Sequence, residues 1–309
     1  MHLRKHSVFI IILFSILGIS ARGFSQGPDR GSWHHGNEWI DPDTSEPAGM
    51  HYHLFPTPSR GAGTQASCLV YLPPDYDKQQ KRRYPVLYWL HGGAGSQREG
   101  VWMVTRIDEE IRKGSLPSFI VVLVQGLPDV RYINSKDGTR PVEDVLIRDL
   151  IPHIDASFRT IATRKGRAIE GMSMGGYGAL RLGFKFPELF GTVSALAPSI
   201  KPMSEEPEVV REPFGNDPAF WESVGPWNTV KQHASEVRGH TLVRLFVGDQ
   251  DPLLKPVTEY HQLLDSLGIQ HEFSIVSGAH HRYDEIITRM PTDPLLFWAK
   301  AFAPQGSAD

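Results

Sequence analysis

The sequence RAIEGMSMGGYGALRLGF, at residues 167–184, places a serine between a short apolar run and a segment suited to a helix. Its centre, Gly171-Met172-Ser173-Met174-Gly175, fits the pattern G-x-S-x-G, in which small residues beside the serine allow a strained turn from strand to helix. Such a turn projects the serine hydroxyl beyond the edge of the sheet. We therefore interpret Ser173 as a nucleophile, with a strand at residues 167–169 before it and a helix over residues 175–184 after it.

A second match to this pattern serves as a control. Gly23-Phe24-Ser25-Gln26-Gly27 has the same spacing, but no strand-like run precedes it. Short motifs have a substantial false-positive rate and gain meaning only from their structural context. The predicted strand before Ser173 and the predicted helix after it supply that context, so we interpret Ser173 rather than Ser25 as the nucleophile.

On either side of this stretch, short apolar runs alternate with amphipathic segments. The runs are residues 85–90, 119–124, 192–196, 242–247 and 272–276. Continuous apolar runs of this length suit strands that are buried on both faces. The amphipathic segments carry apolar residues at helical spacing, namely Leu146, Leu150, Ile154 and Phe158, and later Val257, Tyr260 and Leu264. The alternation predicts an α/β fold with a mostly parallel central sheet and helices on both faces, in which Pro152 kinks or breaks its helix.

Composition excludes some classes of function. The 309 residues include 32 Lys and Arg against 35 Asp and Glu, a net charge of −3, which gives no basic surface of the kind that nucleic-acid binding requires. Cys68 is the one cysteine, so an intramolecular disulfide or a cluster of thiolate metal ligands is excluded. We expect no nucleic-acid partner.

The N-terminal residues have the features of an export signal. Arg4 and Lys5 precede an apolar run over residues 8–19, and small residues follow it. This order is typical of a secretory signal peptide, which we predict at residues 1–25. A membrane anchor is the alternative, but the run is shorter than the ~20 residues that a spanning helix needs. We expect a secreted or periplasmic protein with no membrane anchor after cleavage.

The remainder of the chain has no internal repeat. We predict an N-terminal segment at residues 26–42, a single catalytic domain at residues 43–304 and a tail at residues 305–309. Within the domain, residues 198–240 are rich in Pro, Glu and Trp without a clear period. This composition indicates a cap or an insertion beside the active site.

A serine hydroxyl becomes a good nucleophile only when a base removes its proton, so a histidine and an orienting carboxylate are needed. Two loops carry such residues in the order serine, acid, histidine. Residues 248–251 and residues 278–281 each directly follow a predicted strand, and the carboxyl ends of parallel strands meet at one edge of a sheet. The candidates are Asp249 and Asp251 for the carboxylate, and His280 and His281 for the base.

The segment His91-Gly92-Gly93-Ala94-Gly95 directly follows the predicted strand at residues 85–90. Glycines let backbone N–H groups approach a substrate where negative charge develops. No Lys-Ser or Lys-Thr pair follows, as it does in phosphate-binding loops. We therefore predict an oxyanion hole here, with the N–H of Met174, the residue after the nucleophile, as a second donor.

Two further groups of residues have alternative explanations. His51 and His53 share one face of a predicted strand near His34-His35, but no carboxylate or cysteine spacing completes a metal site, and we predict no metal. Four aromatic residues are candidates for a wall around an acyl or sugar group, with core packing as the alternative. They are Trp102, Tyr132, Trp221 and Trp227.

These motifs together resemble the esterase family of α/β-hydrolases, which includes feruloyl esterases, acetyl xylan esterases, enterochelin esterases, S-formylglutathione hydrolases and mycolyltransferases. The matching segments are VYLPPDYD at 70–77, LHGG at 90–93, DLIPHID at 149–155, GMSMGG at 171–176, GDQD at 248–251 and GAH at 278–280. The resemblance extends over residues 68–301.

The resemblance implies an α/β-hydrolase fold. It also implies which of the two aspartates and which of the two histidines belong to the triad. It selects Asp251 as the acid and, through the family's Gly-x-His register, His280 rather than His281 as the base. It also implies an oxyanion hole formed by Gly93 and Met174. Together with Ser173 these residues would form a complete site for ester hydrolysis without a cofactor.

The resemblance also implies a function, a serine carboxylic-ester hydrolase that works through an acyl-enzyme on small-molecule or oligosaccharide esters. Since the chain has a predicted export signal, feruloyl or acetyl esters of plant-polysaccharide sugars are the expected substrates. The alternatives are a siderophore esterase or an acyltransferase with the same triad, and a binding protein without catalysis.

Overall fold

A computed structural model describes residues 38–290 and 293–303 of the chain. The predicted signal peptide, most of the N-terminal segment and the predicted tail lie outside the described residues. Among the helices that are described, none combines the length and apolar character needed to cross a membrane.

The centre of the fold is an eight-stranded sheet. Its strands are β1 (Met50–Pro56), β2 (Gln65–Tyr71), β3 (Val86–Leu90), β4 (Ile120–Val124), β5 (Arg167–Met172), β6 (Thr192–Leu196), β7 (Leu242–Gly248) and β8 (Glu272–Val276). They lie in the order β1-β2-β4-β3-β5-β6-β7-β8. The β1–β2 and β2–β4 pairs are antiparallel and all the other pairs are parallel, which confirms the predicted α/β class.

Helices connect the parallel strands. The α-helices are α1 (Val101–Lys113), α2 (Val142–Asp144), α3 (Ile151–Ser157), α4 (Met174–Lys185), α5 (Glu208–Arg211), α6 (Pro218–Val224), α7 (Pro226–Gln232), α8 (Ala234–Val237), α9 (Leu254–Ser266), α10 (Tyr283–Arg289) and α11 (Leu296–Ala301). Short 3₁₀ turns lie at Pro58–Arg60, Gln97–Gly100, Arg164–Gly166, Met203–Glu205 and Glu212–Phe214. The segment at 198–240 contains α5 to α8 and lies between β6 and β7.

Both faces of the sheet are covered, which explains the continuous apolar runs. Ile169 of β5 belongs to the core on the face covered by α4 and α9, whereas its neighbour Ala168 belongs to the core on the opposite face, covered by α1 and α11. Adjacent strand residues point to opposite faces, so both must be apolar when neither face meets solvent. Cys68 of β2 is fully buried, and this burial raises the pKa of its thiol.

The helix around Pro152 is irregular, as the sequence predicts. Residues Val145–Leu150 form a π-helical turn, in which the N–H of Ile151 bonds to the carbonyl of Leu146. The regular helix α3 begins at Ile151, with Pro152 in its first turn. Pro152 has no N–H with which to continue the helical hydrogen bonds, and the helix changes from the π-helical to the regular form directly before it.

A buried ion pair and a serine join three adjacent strands, of which β5 leads to Ser173 and β7 to the Asp251 loop. Glu170 of β5 accepts a 2.6 Å hydrogen bond from the Ser194 hydroxyl of β6 and a 2.9 Å bond from the guanidinium of Arg244 of β7. The charged side chains are 4% exposed at Arg244 and 2% at Glu170. Burial raises the pKa of Glu170, and the charge of Arg244 opposes that effect.

We expect Glu170→Gln to lower the free energy of unfolding by about 3–5 kcal/mol, because it leaves the buried Arg244 without a counter-charge. Glu259→Gln is the control, since Glu259 forms an exposed pair with Lys255 and should change stability by less than about 0.5 kcal/mol. Urea unfolding followed by circular dichroism measures both values. Equal stability of the two variants would contradict the role given to the buried pair.

Candidate active site

Ser173 stands at a sharp turn between β5 and α4. Its backbone has φ +57° and ψ −115°, a conformation that side-chain-bearing residues rarely adopt. Hydrogen bonds fix the turn, because the N–H of Ser173 bonds to the carbonyl of Leu196 at 2.9 Å and the carbonyl of Ser173 accepts from Ser199 at 2.9 Å. The serine thus occupies the strained turn that its motif predicts.

The glycines of the motif are required by close backbone contacts. A Cβ on Gly175 would lie 2.0 Å from the carbonyl oxygen of Leu90, at the end of β3. A Cβ on Gly171 would lie 2.4 Å from the carbonyl carbon of Gly175. A side chain at either position would force the strands and the helix apart, so the turn at Ser173 depends on both glycines.

His281 lies between Ser173 and Asp251. Its Nε2 is 2.9 Å from the Ser173 hydroxyl oxygen, and its Nδ1 is 2.7 Å from a carboxylate oxygen of Asp251. The carboxylate can only accept, so Nδ1 carries the proton and Nε2 presents its lone pair to the serine hydroxyl. The Asp251 side chain is fully buried, and its other oxygen accepts a 2.8 Å bond from the N–H of Leu253.

The prediction that His280 contacts Ser173 is wrong by one residue. His280 turns outward, with its side chain 64% exposed and its Nδ1 2.9 Å from Glu285 of α10. The cause is a tight turn, in which the N–H of Arg282 bonds to the carbonyl of His280 at 2.7 Å. This turn is centred on His281 and points its imidazole inward, whereas the prediction assumed the family's Gly-x-His register.

Asp249 and Asp251 have different positions in the same loop. The Asp249 carboxylate accepts a 2.7 Å bond from the N–H of Gly278, which belongs to the histidine loop. Hydrogen bonds from the Gln250 side chain and from Gly278 lower the pKa of Asp249. The structure therefore brings Asp251 to the imidazole, while Asp249 fastens one loop to the other.

The two predicted oxyanion donors, the N–H groups of Met174 and Gly93, belong to the turn at Ser173 and to the loop beside it. Met174 is the first residue of α4, where N–H groups have no helical acceptor. Gly93 belongs to the loop after β3, and this loop lies beside the serine turn, since a Cβ on Gly92 would be 3.7 Å from the carbonyl oxygen of Met172.

Side chains hold the Gly93 peptide in one orientation. The N–H of Gly126 bonds to Nε2 of the buried His91, so Nδ1 of His91 carries the proton and donates to the Gly92 carbonyl at 2.7 Å. The Gly92 N–H bonds to the Glu99 carboxylate at 2.7 Å. Since N–H and C=O of one trans peptide point in opposite directions, the bond to the Gly92 carbonyl turns the N–H of Gly93 away from His91.

In the loop after β4, the sequence indicates only Tyr132, as a candidate for the aromatic wall. Asp129, Arg131 and Tyr132 all have φ near +60°, at +61°, +56° and +57°. Arg131 is buried and forms an ion pair of 2.5 Å with Glu206, which lies in the segment between β6 and β7. Arg131 also donates a 3.1 Å bond to the hydroxyl of Ser199. No sequence motif indicates this contact, because its partners are 75 residues apart.

The predicted aromatic wall is only partly formed. Tyr132 is buried and donates a 3.2 Å bond to the carbonyl of His91, so it supports the glycine loop from below. Trp102 of α1 packs against Tyr283 with ring centroids 4.8 Å apart. Trp221 and Trp227, in contrast, line one cavity of about 880 Å³.

This cavity is formed mainly by the segment at 198–240 and lies next to the serine turn. Ser173 and His281 are not among its lining residues, but Tyr177, one helical turn after the serine, is. Ile200 also lines it and follows Ser199, whose N–H bonds to the Ser173 carbonyl. The cavity lining combines these aromatic residues with the charged residues Lys201 and Glu222.

Of the histidines considered above as metal ligands, the structure describes His51 and His53. His51 is exposed, with its Nδ1 3.7 Å from Glu46. His53 packs edge-on against Phe158 and His153, at 5.1 and 5.9 Å between ring centroids. His34-His35 lies outside the described residues.

Comparisons with known proteins agree with this architecture. A family model, Esterase ("Putative esterase"), matches residues 59–290, which is more than half of the chain. The chain is 34% identical over 244 residues to S-formylglutathione hydrolase of Paracoccus denitrificans, a match that covers 73% of this chain and 85% of that protein. It is 38% identical over 143 residues to an endo-1,4-beta-xylanase/feruloyl esterase of Xylanibacter ruminicola, covering 43% of this chain and 19% of that protein.

Solved structures show the same fold. A ferulic acid esterase superposes with a TM-score of 0.67 at 20% identity, over 82% of this chain and 98% of that one. The chain spans about a fifth of the length of the xylanase/feruloyl esterase, so that relative's combined activities do not transfer as a whole. From the family match over residues 59–290 and the α/β-hydrolase fold, we conclude that the chain belongs to the esterase family of α/β-hydrolases.

Proposed function

We propose that the protein is a serine carboxylic-ester hydrolase with Ser173, His281 and Asp251 as its catalytic triad. The observation that carries this proposal is the position of the His281 imidazole, 2.9 Å from the serine hydroxyl and 2.7 Å from the buried carboxylate. This arrangement supplies a nucleophile, a base and a group that orients the base.

The proposed reaction has two steps. Ser173 Oγ attacks the ester carbonyl while Nε2 of His281 takes the hydroxyl proton, and the imidazolium then gives that proton to the departing alcohol. Water, deprotonated by the same nitrogen, attacks the acyl-enzyme and releases the acid. Asp251 holds Nδ1–H in place and stabilises the imidazolium in both steps.

Negative charge develops on the carbonyl oxygen in each step. We assign its stabilisation to the N–H groups of Gly93 and Met174, which flank the serine turn. His91 and Glu99 would serve as positioning residues, because His91 bonds to the C=O group of Gly92 and Glu99 bonds to its N–H group. No metal or organic cofactor enters the proposed mechanism.

For the substrate we propose feruloyl or acetyl esters of plant-polysaccharide sugars. The names of two similar proteins support this class, the xylanase/feruloyl esterase and the ferulic acid esterase. The cavity beside the serine turn also supports it, since Trp221 and Trp227 are among its lining residues and aromatic side chains suit contact with aromatic or sugar rings. We include export from the cytoplasm in the proposal, on the basis of the basic and apolar residues at the N-terminus.

A substrate panel tests this proposal. The proposed substrates are represented by methyl ferulate, a feruloylated arabino-oligosaccharide and an acetylated xylo-oligosaccharide. We expect kcat/KM for at least one of them to exceed kcat/KM for S-formylglutathione and for a catecholate triester by at least about tenfold. Tenfold corresponds to about 1.4 kcal/mol in transition-state binding. The similarity to S-formylglutathione hydrolase makes the thioester the sharpest comparison. Preference for the thioester would refute the substrate class, and no hydrolysis of any ester would refute the esterase proposal.

The two histidines give a second test. His281→Ala should lower kcat/KM on p-nitrophenyl acetate by on the order of a million-fold, as should Ser173→Ala, because residues of a triad act as a unit. His280→Ala is the matched control and should cost tenfold or less, since the His280 imidazole points away from Ser173 and bonds to Glu285. An inactive His280→Ala beside an active His281→Ala would reverse the assignment.

The two aspartates give a third test. We expect Asp251→Asn to lower kcat by roughly ten-thousand-fold, because an amide stabilises the wrong imidazole tautomer. Asp249→Asn should cost less than about tenfold, since the amide oxygen can still accept the bond from Gly278. Steady-state kinetics on the same activated ester measures both variants, and the reverse ranking would make Asp249 the acid.

A further inference from the structure

A cluster of polar side chains lies at the edge of the sheet opposite the triad. Helix α9 begins just after the Asp251 loop and ends at Ser266, and β8 begins at Glu272 and leads towards His281. Between the end of this helix and the start of this strand, the chain brings together His261, Asp265 and His271. The proposed ester hydrolysis uses none of these three residues.

Their potential ligand atoms are close together. Nδ1 of His261 is 2.7 Å from Nε2 of His271, and a carboxylate oxygen of Asp265 is 3.5 Å from Nε2 of His261. One ligand atom from each residue lies within 4.8 Å of the others. His261 and Asp265 are four residues apart on α9, so they lie on one face of the helix.

The buried histidine is fixed in the form that binds metals. Nδ1 of His271 is 2.8 Å from the carbonyl oxygen of Ile269, which can only accept, so Nδ1 carries the proton. Its Nε2 therefore presents a lone pair to the cluster. The His271 side chain is 2% exposed, and a carbonyl bound to the second ring nitrogen is the usual support of a metal-ligating histidine.

The second histidine is also restrained. The His261 ring stacks on Phe273 of β8, with centroids 4.1 Å apart and planes 16° from parallel. The Asp265 side chain is 62% exposed, which leaves the cluster open to solvent on one side. An ion could therefore reach the cluster from solvent.

We propose that His261, Asp265 and His271 bind one divalent transition-metal ion, with Zn²⁺ as the representative ion. Two imidazoles and one carboxylate suit zinc and its neighbours, whereas calcium and magnesium prefer oxygen ligands alone. At a Zn–N distance of about 2.0–2.1 Å, two nitrogens on a tetrahedral ion are roughly 3.3 Å apart.

Since Nε2 of His271 holds a lone pair, the present 2.7 Å contact is a hydrogen bond from Nδ1–H of His261. On metal binding that proton would move to Nε2 of His261, beside the Asp265 carboxylate, and the two nitrogens would separate by about 0.6 Å. One carboxylate oxygen would turn to the ion, and water would complete the coordination.

The proposed site would join the far ends of the two segments that carry Asp251 and His281. A metal bound there stabilises the folded state by mass action, because the unfolded chain does not hold the three ligands together. Its expected effect is on thermal stability and not on the ester chemistry.

Zinc titration of the full chain, prepared without a polyhistidine tag and stripped with a chelator, tests the proposal. The background variant is His281→Ala, which removes the triad histidine as a competing ligand. We expect one Zn²⁺ per chain with micromolar or tighter affinity by calorimetry, and a rise in Tm that EDTA reverses. His271→Gln and His261→Gln should each weaken binding by about 10–100-fold, the usual range for the loss of a group that supports a metal site.

His51→Gln is the matched control, because His51 is an exposed histidine that also faces a carboxylate. It should leave the zinc affinity unchanged. His261 is half-buried, so its variant covers the case in which His271→Gln does not fold. Zinc binding weaker than about 100 µM, or equal in the His261→Gln and His51→Gln variants, would overturn the proposal and leave a hydrogen-bonded histidine pair.

Discussion

The backbone of Ser173 imposes the constraint on which this site depends. A residue with a side chain at φ +57° costs about 1–3 kcal/mol, so the surrounding structure must hold it there. The end of β3 supplies part of that support by approaching Gly175 so closely that a methyl group would not fit. The carbonyl of Leu196 and the N–H of Ser199, before and after the next turn, supply the rest.

The second half of the site depends on contacts between two loops. The loop after β7 carries Asp251 and the loop after β8 carries His281, and the backbones of these loops bond to each other directly. The N–H of Gln250 donates to the carbonyl of Ala279 at 3.0 Å, and Asp249 accepts from Gly278. A Cβ on Gly248 would lie 2.0 Å from the same Ala279 carbonyl, so no side chain can separate the loops. The acid and the base are therefore positioned as one unit.

Sequence patterns predicted the features that arise from local chemistry. Apolar runs located most of the parallel strands, because strands covered on both faces are apolar at most positions. The G-x-S-x-G motif located the turn at Ser173, because few sequences accommodate it. The π-helical turn before Pro152 likewise reflects a property of one residue, its missing N–H.

The features that sequence patterns missed depend on the path of the chain in space. His280 and His281 are chemically identical neighbours, and only the bond from Arg282 to the carbonyl of His280 decides which of them faces inward. Arg131 and Glu206 likewise carry no local signal, since each is an ordinary charged residue until the fold buries both. The separation in sequence between Arg131 and Glu206 explains the second omission. The first arose because two identical neighbours differ only in the path of the backbone through one turn.

The burial of that ion pair has a consequence for how substrate reaches Ser173. Glu206 belongs to the segment between β6 and β7, and Trp227 of the same segment donates a 3.0 Å bond to the carbonyl of Ile200. Swinging this segment away would separate Glu206 from Arg131, and a charge left buried without its partner costs about 3–5 kcal/mol. We therefore expect the segment to stay packed against the loop after β4, and the cavity lined by Trp221 and Trp227 to keep its shape while a substrate enters.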